Sequence, residues 1–517
     1  MKKINSGHLK KATLKFRTFS AISALSLGLV FSSAVNAGQV LTVAQENDPQ
    51  SLDPIDTFSL SWGSMGSNIF DGLVFRNENL DILPGLAKEW SFLEDGKRIR
   101  FKLREGVTFH NGEPFNAESV KYTFDRMLGE QGKTSPQRSN YTSIERVEIL
   151  DDHTVDFVMK NPDPVLITKL SGYGAMIVPK KYIEEVGEKA FDMKPVGTGP
   201  FSVVNYTPSV GLKLEKNPNY WNGKAKVDEV NIKFIPEAST RMAELLSGGV
   251  DISLNIPVAS VETIRNNDRV ELVDVNGPTV ALLRFKTRDS ITSDIRVRKA
   301  INMAIDKKMI VDILLDGLGS TISSAQGTKS LGYNPDIQEY SYDPAGAKAL
   351  LQQAGVNPGT TITLDTRNND DTFLEVAQVI SAYLGAVGLN VKIRTHESGV
   401  YSTEIVPKGN TGEMFYFRWG GWTFDFDNTA YLLYHSGERW NPYNNDEKLD
   451  ALLEKQRLTY STEVRENILR EVASYAHENA LDIPLYNTST LYGVSKKVKG
   501  FTPAPDDRAR YMDVYKD

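Results

Sequence analysis

Cysteine is absent from all 517 residues. That excludes a disulfide framework, thiolate metal sites and cysteine nucleophiles at once. It also removes the lipid-bearing cysteine that could tether a secreted chain to a membrane. Beyond residue 37, no stretch approaches the roughly 18 apolar residues of a membrane-spanning helix. Nor does the chain contain a Gly-Xaa-Ser-Xaa-Gly elbow, a His-Glu-Xaa-Xaa-His metal site or a phosphate loop. Histidine is scarce: His8, His110, His153, His396, His435 and His477 are widely separated, and none forms a His-Xaa-Xaa-Xaa-His pair. Direct metal ligation therefore has little support, and neither a metal nor a cofactor is expected. His435 reads as a surface histidine.

What is present begins with an unusual head. Lys2, Lys3, Lys10, Lys11, Lys15 and Arg17 precede a short apolar core, Ala21 to Phe31. Small residues follow, with Val35 and Ala37 at the −3 and −1 positions of a cleavage site. Residues 1–37 thus read as a secretory signal peptide cleaved after Ala37, which predicts a periplasmic protein. The net charge of −7 includes six positive charges from this head and no acids, so the remaining chain carries −13 (−7 minus 6). An acidic surface disfavours nucleic acid and anionic membrane as partners. The length predicts two to four domains, since a single core stops growing well below this size.

One stretch carries more chemistry than any other. Phe415-Tyr416-Phe417-Arg418-Trp419 has the aromatic density of a covered strand. Gly420-Gly421 breaks it, and Trp422-Thr423-Phe424-Asp425-Phe426-Asp427 follows. A glycine pair admits a foreign backbone, an indole offers a flat apolar wall, and a carboxylate offers a cation anchor. The same residues also suit a plain core strand ending in a turn, with Asp425 or Asp427 capping a helix. Both readings stand at this level.

Elsewhere the punctuation predicts alternating strands and helices. Strands are expected at 39–44, 98–103, 201–206, 230–235, 280–285, 361–365, 390–394 and 483–486, and a two-strand unit over 144–159. Asn116 and Asp294 should cap helices, and Ser247-Gly248-Gly249 and Gly355 should end them. Residues 56–62 read as a loop and 67–73 as a helical turn. The order indicates an α/β fold.

The punctuation also resembles family 5 of the bacterial extracellular solute-binding proteins, the oligopeptide, dipeptide and nickel receptors of ABC importers. The resemblance rests on Leu83-Pro84-Gly85-Leu86-Ala87 with Trp90, on Arg104 to Gly112, and on Val196-Gly197-Thr198-Gly199-Pro200-Phe201. It continues through Asn217-Pro218-Asn219-Tyr220-Trp221, Arg296 to Ile301 with Ala304-Ile305-Asp306, and Ala480 to Tyr486. It implies a two-lobed periplasmic-binding-protein clamshell (type II-like) with an additional inserted domain. Lobe I would comprise 38–75, 195–284 and 482–517, the inserted domain 76–194 and lobe II 285–481, with crossings near 284 and 482. It further implies capture of short peptides or peptide-like amino-acid conjugates between closing lobes, an inner-membrane ABC permease as partner, and a monomer. In peptide-binding relatives, the strand leading to Trp-Xaa-Xaa-Asp pairs with the ligand backbone and the aspartate takes its ammonium. By that spacing Asp425 would be the anchor, with Asp427 sharing or replacing it, and Gly420, Gly421, Trp422 and Thr423 would line the site. Arg418 would grip a carboxylate, and Ser61 and Trp62 would line the opposite wall. Receptors of the same fold for an opine or sugar acid, a metal chelate or an oligosaccharide remain the alternative. A secreted hydrolase is a third reading, weakened because Asp425 and Asp427 lack a partner across a cleft.

Overall fold

Two long antiparallel strands, Val270–Phe285 and Asp482–Ser495, run through the middle of an eleven-stranded sheet. This computed structural model describes residues 38–49, 51–57, 59–368 and 371–517, without the side chains of Leu60, Ser61 and Asp371. The signal-peptide reading of residues 1–37 lies outside the described residues.

On one side the sheet continues through Met414–Gly420, Thr360–Arg367 and Leu389–His396. The last two pair in parallel, and helix Asp371–Ala386 supplies the crossover that a parallel pair requires. On the other side lie Ile252–Ser253, Val40–Gln45, Glu229–Phe234, Gly211–Lys216 and Phe201–Thr207. Each half buries its own apolar residues: Leu41, Phe201, Leu214 and Ile232 in one, and Leu283, Ile301, Leu364 and Ile380 in the other. Among the described residues, these two central strands carry the chain between the halves. Their register slips between Asn276 and Val280, where Asn487 Nδ2 donates to the carbonyls of Gly277 (2.9 Å) and Thr279 (2.7 Å). That bulge explains why only 280–285 and 483–486 read as strands. Gly277, Pro278 and the polar run Asn487 to Thr490 interrupt the β pattern, while pairing across the sheet carries both strands through it.

A separate four-stranded sheet orders Ala87–Leu93, Arg98–Leu103, Thr154–Met159 and Ile144–Asp151. Helix Ala117–Leu128 covers it, capped by Asn116, whose side chain accepts from the amides of Glu118 and Ser119. Phe101, Phe124, Tyr141 and Phe157 fill the space between them. Tyr173, Met176, Ile183 and Phe191 pack instead into the core around Leu41 and Phe201. The expected caps at Asp294 and Asn116 and the left-handed stop at Gly248 (φ 83°) are all in place.

One local expectation fails. Residues 60–69 form a helix where a loop was expected over 56–62. Gly63 and Gly66 lower its intrinsic propensity, but Trp62, Met65 and Ile69 fall on one face and are fully buried. Packing decides the outcome. Among the described residues, no helix is long and apolar enough to cross a membrane.

Candidate functional site

Strand Met414–Gly420 enters the site from the core. Met414, Phe415, Tyr416 and Phe417 are buried. On one edge it pairs with the central strand as far as Thr279 opposite Gly420. On the other edge its parallel partner Thr360–Arg367 contributes only Leu364 opposite Met414 and Asp365 opposite Phe415. Beyond that point, the second edge of Phe417–Gly420 has no strand beside it among the described residues. The segment thus leaves the core with one row of main-chain groups satisfied and the other row open to an extended chain.

Gly421 donates its amide to the Pro278 carbonyl (3.0 Å). A Cβ at Gly420 or Gly421 would meet nothing in the protein nearer than 3.5 Å. Neither glycine is thus required by its own surroundings. Trp422 is half-buried, and its indole lies against Gly172, where a Cβ would come within 2.6 Å of Cζ3. Tyr173 sits beside it, ring centroids 6.4 Å apart.

A residue with no sequence signal holds this turn. Arg76 donates to the Trp422 carbonyl (3.0 Å) and to the Thr423 carbonyl, and its guanidinium lies 5.3 Å from the Phe424 ring centroid. Burial, reinforced by the like charge of Arg508, brings Arg76 down to about 10, so it stays charged at neutral pH. Phe424 has a left-handed backbone (φ 51°), a strained position for an aromatic residue. Leu331 secures it by donating its amide to the Phe424 carbonyl (2.9 Å) and accepting from the Phe426 amide (3.1 Å). The Thr423 hydroxyl donates to the Asp425 carbonyl (3.1 Å).

The two carboxylates are already engaged. Asp425, 4% exposed, caps helix Phe426–Tyr434 by accepting from the Asp427 amide (3.0 Å). Both its oxygens receive Arg465, at 2.6 Å and 2.6 Å. Asp427 receives Arg457 at 2.7 Å and 3.1 Å, together with the Gln456 amide. Burial alone would raise the Asp427 carboxyl, but the Arg457 guanidinium holds it below its ordinary range. As placed, neither acid can take an outside ammonium without unseating an arginine, and the helix-capping reading of Asp425 is the one the geometry meets.

Arg418 extends from the aromatic strand with its guanidinium 4.3 Å from the Phe373 ring centroid, and Arg367 lies 4.8 Å from the same ring. Two cations thus share one aromatic side chain beside the open edge. The cleft-wall expectation for Trp62 is corrected. It is fully buried, stacked 6.3 Å from Phe70 and tilted 6.0 Å from Tyr173, because its helix turns that face into the core. Ser61 lies on the same helix, and its side chain is outside the described residues.

Behind Arg76 is a cavity of about 230 Å³ lined by Asp71, Arg76, Trp221, Arg508, Arg510 and Met512. Asp506, 3% exposed, neutralises two of these arginines through Arg508 Nε (2.7 Å) and Arg510 Nη2 (2.8 Å). The cavity borders the site from behind and does not reach the open strand edge. Among the described residues, no group of three or more histidine, aspartate or glutamate side chains is placed to hold a metal ion.

Comparison with known proteins places the family and the fold. The family model for bacterial extracellular solute-binding proteins, family 5 (middle region), matches residues 81–441. The dipeptide-binding protein of Escherichia coli strain K12 is 26% identical, covering 95% of this chain and 97% of its own. A structure of the Helicobacter pylori periplasmic binding protein DppA, in complex with the peptide STSA, superposes with a TM-score of 0.76. It is 28% identical and covers 93% of this chain and 98% of that one. The structure of HbpA2 from Haemophilus parasuis has a TM-score of 0.85 at 24% identity, over 92% of this chain and all of that one, and speaks for the fold. The two-lobed α/β architecture with an inserted domain accordingly stands as expected.

Proposed function

The chain belongs to the bacterial extracellular solute-binding proteins, family 5, and from that premise we propose that it captures short peptides or peptide-like amino-acid conjugates between its lobes. The observation that carries this reading is the open edge of Phe417–Gly420, ending in a glycine pair that nothing inside the protein demands. An extended ligand backbone can add to that edge as a further strand, its hydrogen bonds supplying affinity independent of side-chain identity. Trp422 then flanks it on one side, and Arg418 with Arg367 offers two cations to a terminal carboxylate. The Escherichia coli relative is named for dipeptide binding, and the Helicobacter pylori neighbour was solved with a peptide, which agrees.

The bulge at Asn276/Val280, opposite Asn487, is the natural hinge, since the two crossing strands are least regular there. Ligand that touches both halves favours the closed form by its differential contacts, and that form is what an inner-membrane permease would read. The receptor works as a periplasmic monomer after cleavage behind Ala37, and it performs no chemistry on its cargo.

The test begins with protein stripped of copurified cargo by unfolding and refolding. Di- and tripeptides should raise its melting temperature in a concentration-dependent way, by linkage. Peptides esterified at the carboxyl terminus should do so less. If no peptide moves the transition while an opine, chelate or sugar does, the substrate class is wrong. Turnover of any such ligand would overturn the receptor reading itself.

A further inference from the structure

Arg76 holds the turn after the aromatic strand, yet its own charge is unmatched. It is 2% exposed, and among the described residues it forms no ion pair. Two of its N–H groups go to the Trp422 and Thr423 carbonyls, and the rest of the guanidinium has no carboxylate to meet. Of the charges around it, Arg508 weighs most on it, ahead of Asp506 and Asp425. A buried cation without a paired anion is costly and calls for a reason.

The cavity of about 230 Å³ behind the turn supplies one. Arg76, Arg508 and Arg510 all line it. Asp506 engages Arg508 and Arg510 together, but one carboxylate offsets only one of their two charges. Asp71, in the same wall, is taken up by the hydroxyls of Thr198 (2.8 Å) and Tyr220 (3.0 Å) and by Trp221 Nε1 (2.9 Å). Even with Asp71 ionised, three cations face two acids. Glu78 and Asp513 also border the cavity, but both are exposed, where water screens them. Ser67 Oγ lines the same space, buried and without a hydrogen-bond partner. Phe70, Val74, Met176 and Met512 give the wall its apolar share. A cavity of about 150 Å³ accommodates a benzene ring, so this one has room for a ring and a carboxylate. Arg76 also borders a second hollow, of about 500 Å³. The other cations there are the exposed Lys329 and Arg470, which is paired with Glu466, and no second buried arginine faces it.

We propose that the cavity behind the turn is a second ligand site, separate from the strand edge, and that it takes a small organic acid. The carboxylate is received by Arg76, with Arg510 and the Ser67 hydroxyl, and the compact apolar body lies against Phe70, Val74 and Met176. Arg510 joins Arg76 because it is the more exposed of the two arginines on Asp506, at 31% against 6%. Arg76 then holds the acid with one side of its fork and the recognition turn with the other, so the occupant steadies residues 422 and 423 from behind. Such a site is independent of what the cleft transports.

Benzoate is the probe, on protein stripped of copurified cargo. Calorimetry should show saturable binding with a Kd of about 1 mM or tighter. Benzamide, of the same shape but uncharged, should bind at least about tenfold more weakly, and so should inorganic phosphate, which leaves the apolar wall bare. Arg76→Gln should lose the preference for benzoate over benzamide, and retention of that preference would overturn the assignment. Since this variant also loosens the turn, a second arm uses the parent alone. With ¹³C-methyl methionine, benzoate should shift the Met176 and Met512 methyl signals, and saturating alanyl-alanine should not reverse those shifts. Benzoate that binds without moving these methyls, or that alanyl-alanine displaces, sits in the cleft and sinks the second site. Benzamide or phosphate binding as tightly as benzoate would refute the organic acid, and no saturable binding at all would refute the site. If peptides fail to bind while benzoate shifts both methyls, the peptide reading falls and the second site stands.

Discussion

Arg465 and Arg457 decide what Asp425 and Asp427 can do. Both carboxylates are buried and held bidentately, Asp425 by the buried Arg465 and Asp427 by the partly exposed Arg457, and removing either arginine strands its acid's charge in a dry place. Asp425→Ala should therefore lower unfolding free energy by about 3–5 kcal/mol, read from denaturant midpoints. Double substitution of Asp425 and Arg465 by similar-sized apolar residues should recover much of that loss. Asp507 behaves in the opposite sense. Its folded carboxyl lies at about 7 against an ordinary 3.8, raised first by burial and then by Asp506. The folded state thus holds this proton more tightly, so its contribution is fully present below about pH 4 and is lost as pH climbs through 7. Unliganded Asp507→Asn should melt above the parent at pH 8, with a smaller difference at pH 5 and none below about pH 4. Equal melting temperatures at pH 8 and below pH 4 would refute the raised carboxyl. Sequence could not separate these acids: Asp425 sits at the recognised spacing, whereas Asp507 hides in the charge-rich Asp506-Asp507-Arg508-Ala509-Arg510, which looks like a solvated loop. Partners at 457 and 465, about 30 to 40 residues away on other helices, leave no local trace.

At the scale of elements, the decisive object is a strand that outlasts one of its neighbours. Its existence was legible, since five consecutive large side chains from Phe415 to Trp419 followed by Gly420-Gly421 fit a covered strand with a break. Its open edge was not, because register is a property of pairs and Thr360–Arg367 diverges after Asp365 for reasons spread through the packing. Gly420→Val offers a clean measurement. The added side chain has room within the protein, with its nearest neighbour Thr279 Oγ1 at 3.6 Å from the Cβ position, so unfolding free energy should change by less than about 1 kcal/mol. Affinity for a bound peptide should nonetheless fall by about tenfold or more, because the branched carbons stand where its backbone would approach. Unchanged affinity would place the ligand elsewhere. The helix Leu60–Ile69 teaches the converse lesson. Gly63 and Gly66 argue locally against it, and only the buried face of Trp62, Met65 and Ile69 makes it pay.

For the whole molecule, the alternation of strands and helices and the spaced motifs were enough to indicate the two-lobed plan. What they could not supply was the continuity of the sheet through both halves, since the crossing strands are broken in sequence by Gly277, Pro278 and a polar run. Substituting Asn487 by Asp would replace the amide donor to the Gly277 and Thr279 carbonyls with an acceptor. It should loosen the bulge and raise amide hydrogen exchange in residues 276–280 and 487–490 above that in the flanking strands.

Arg76 grips residues 422 and 423 through their main-chain oxygens. A clasp of that kind is indifferent to which amino acids stand at 422 and 423. Mutation can rewrite the chemical taste of this turn through the indole and the hydroxyl while its course through space stays put, which leaves specificity free to drift on a frame that does not.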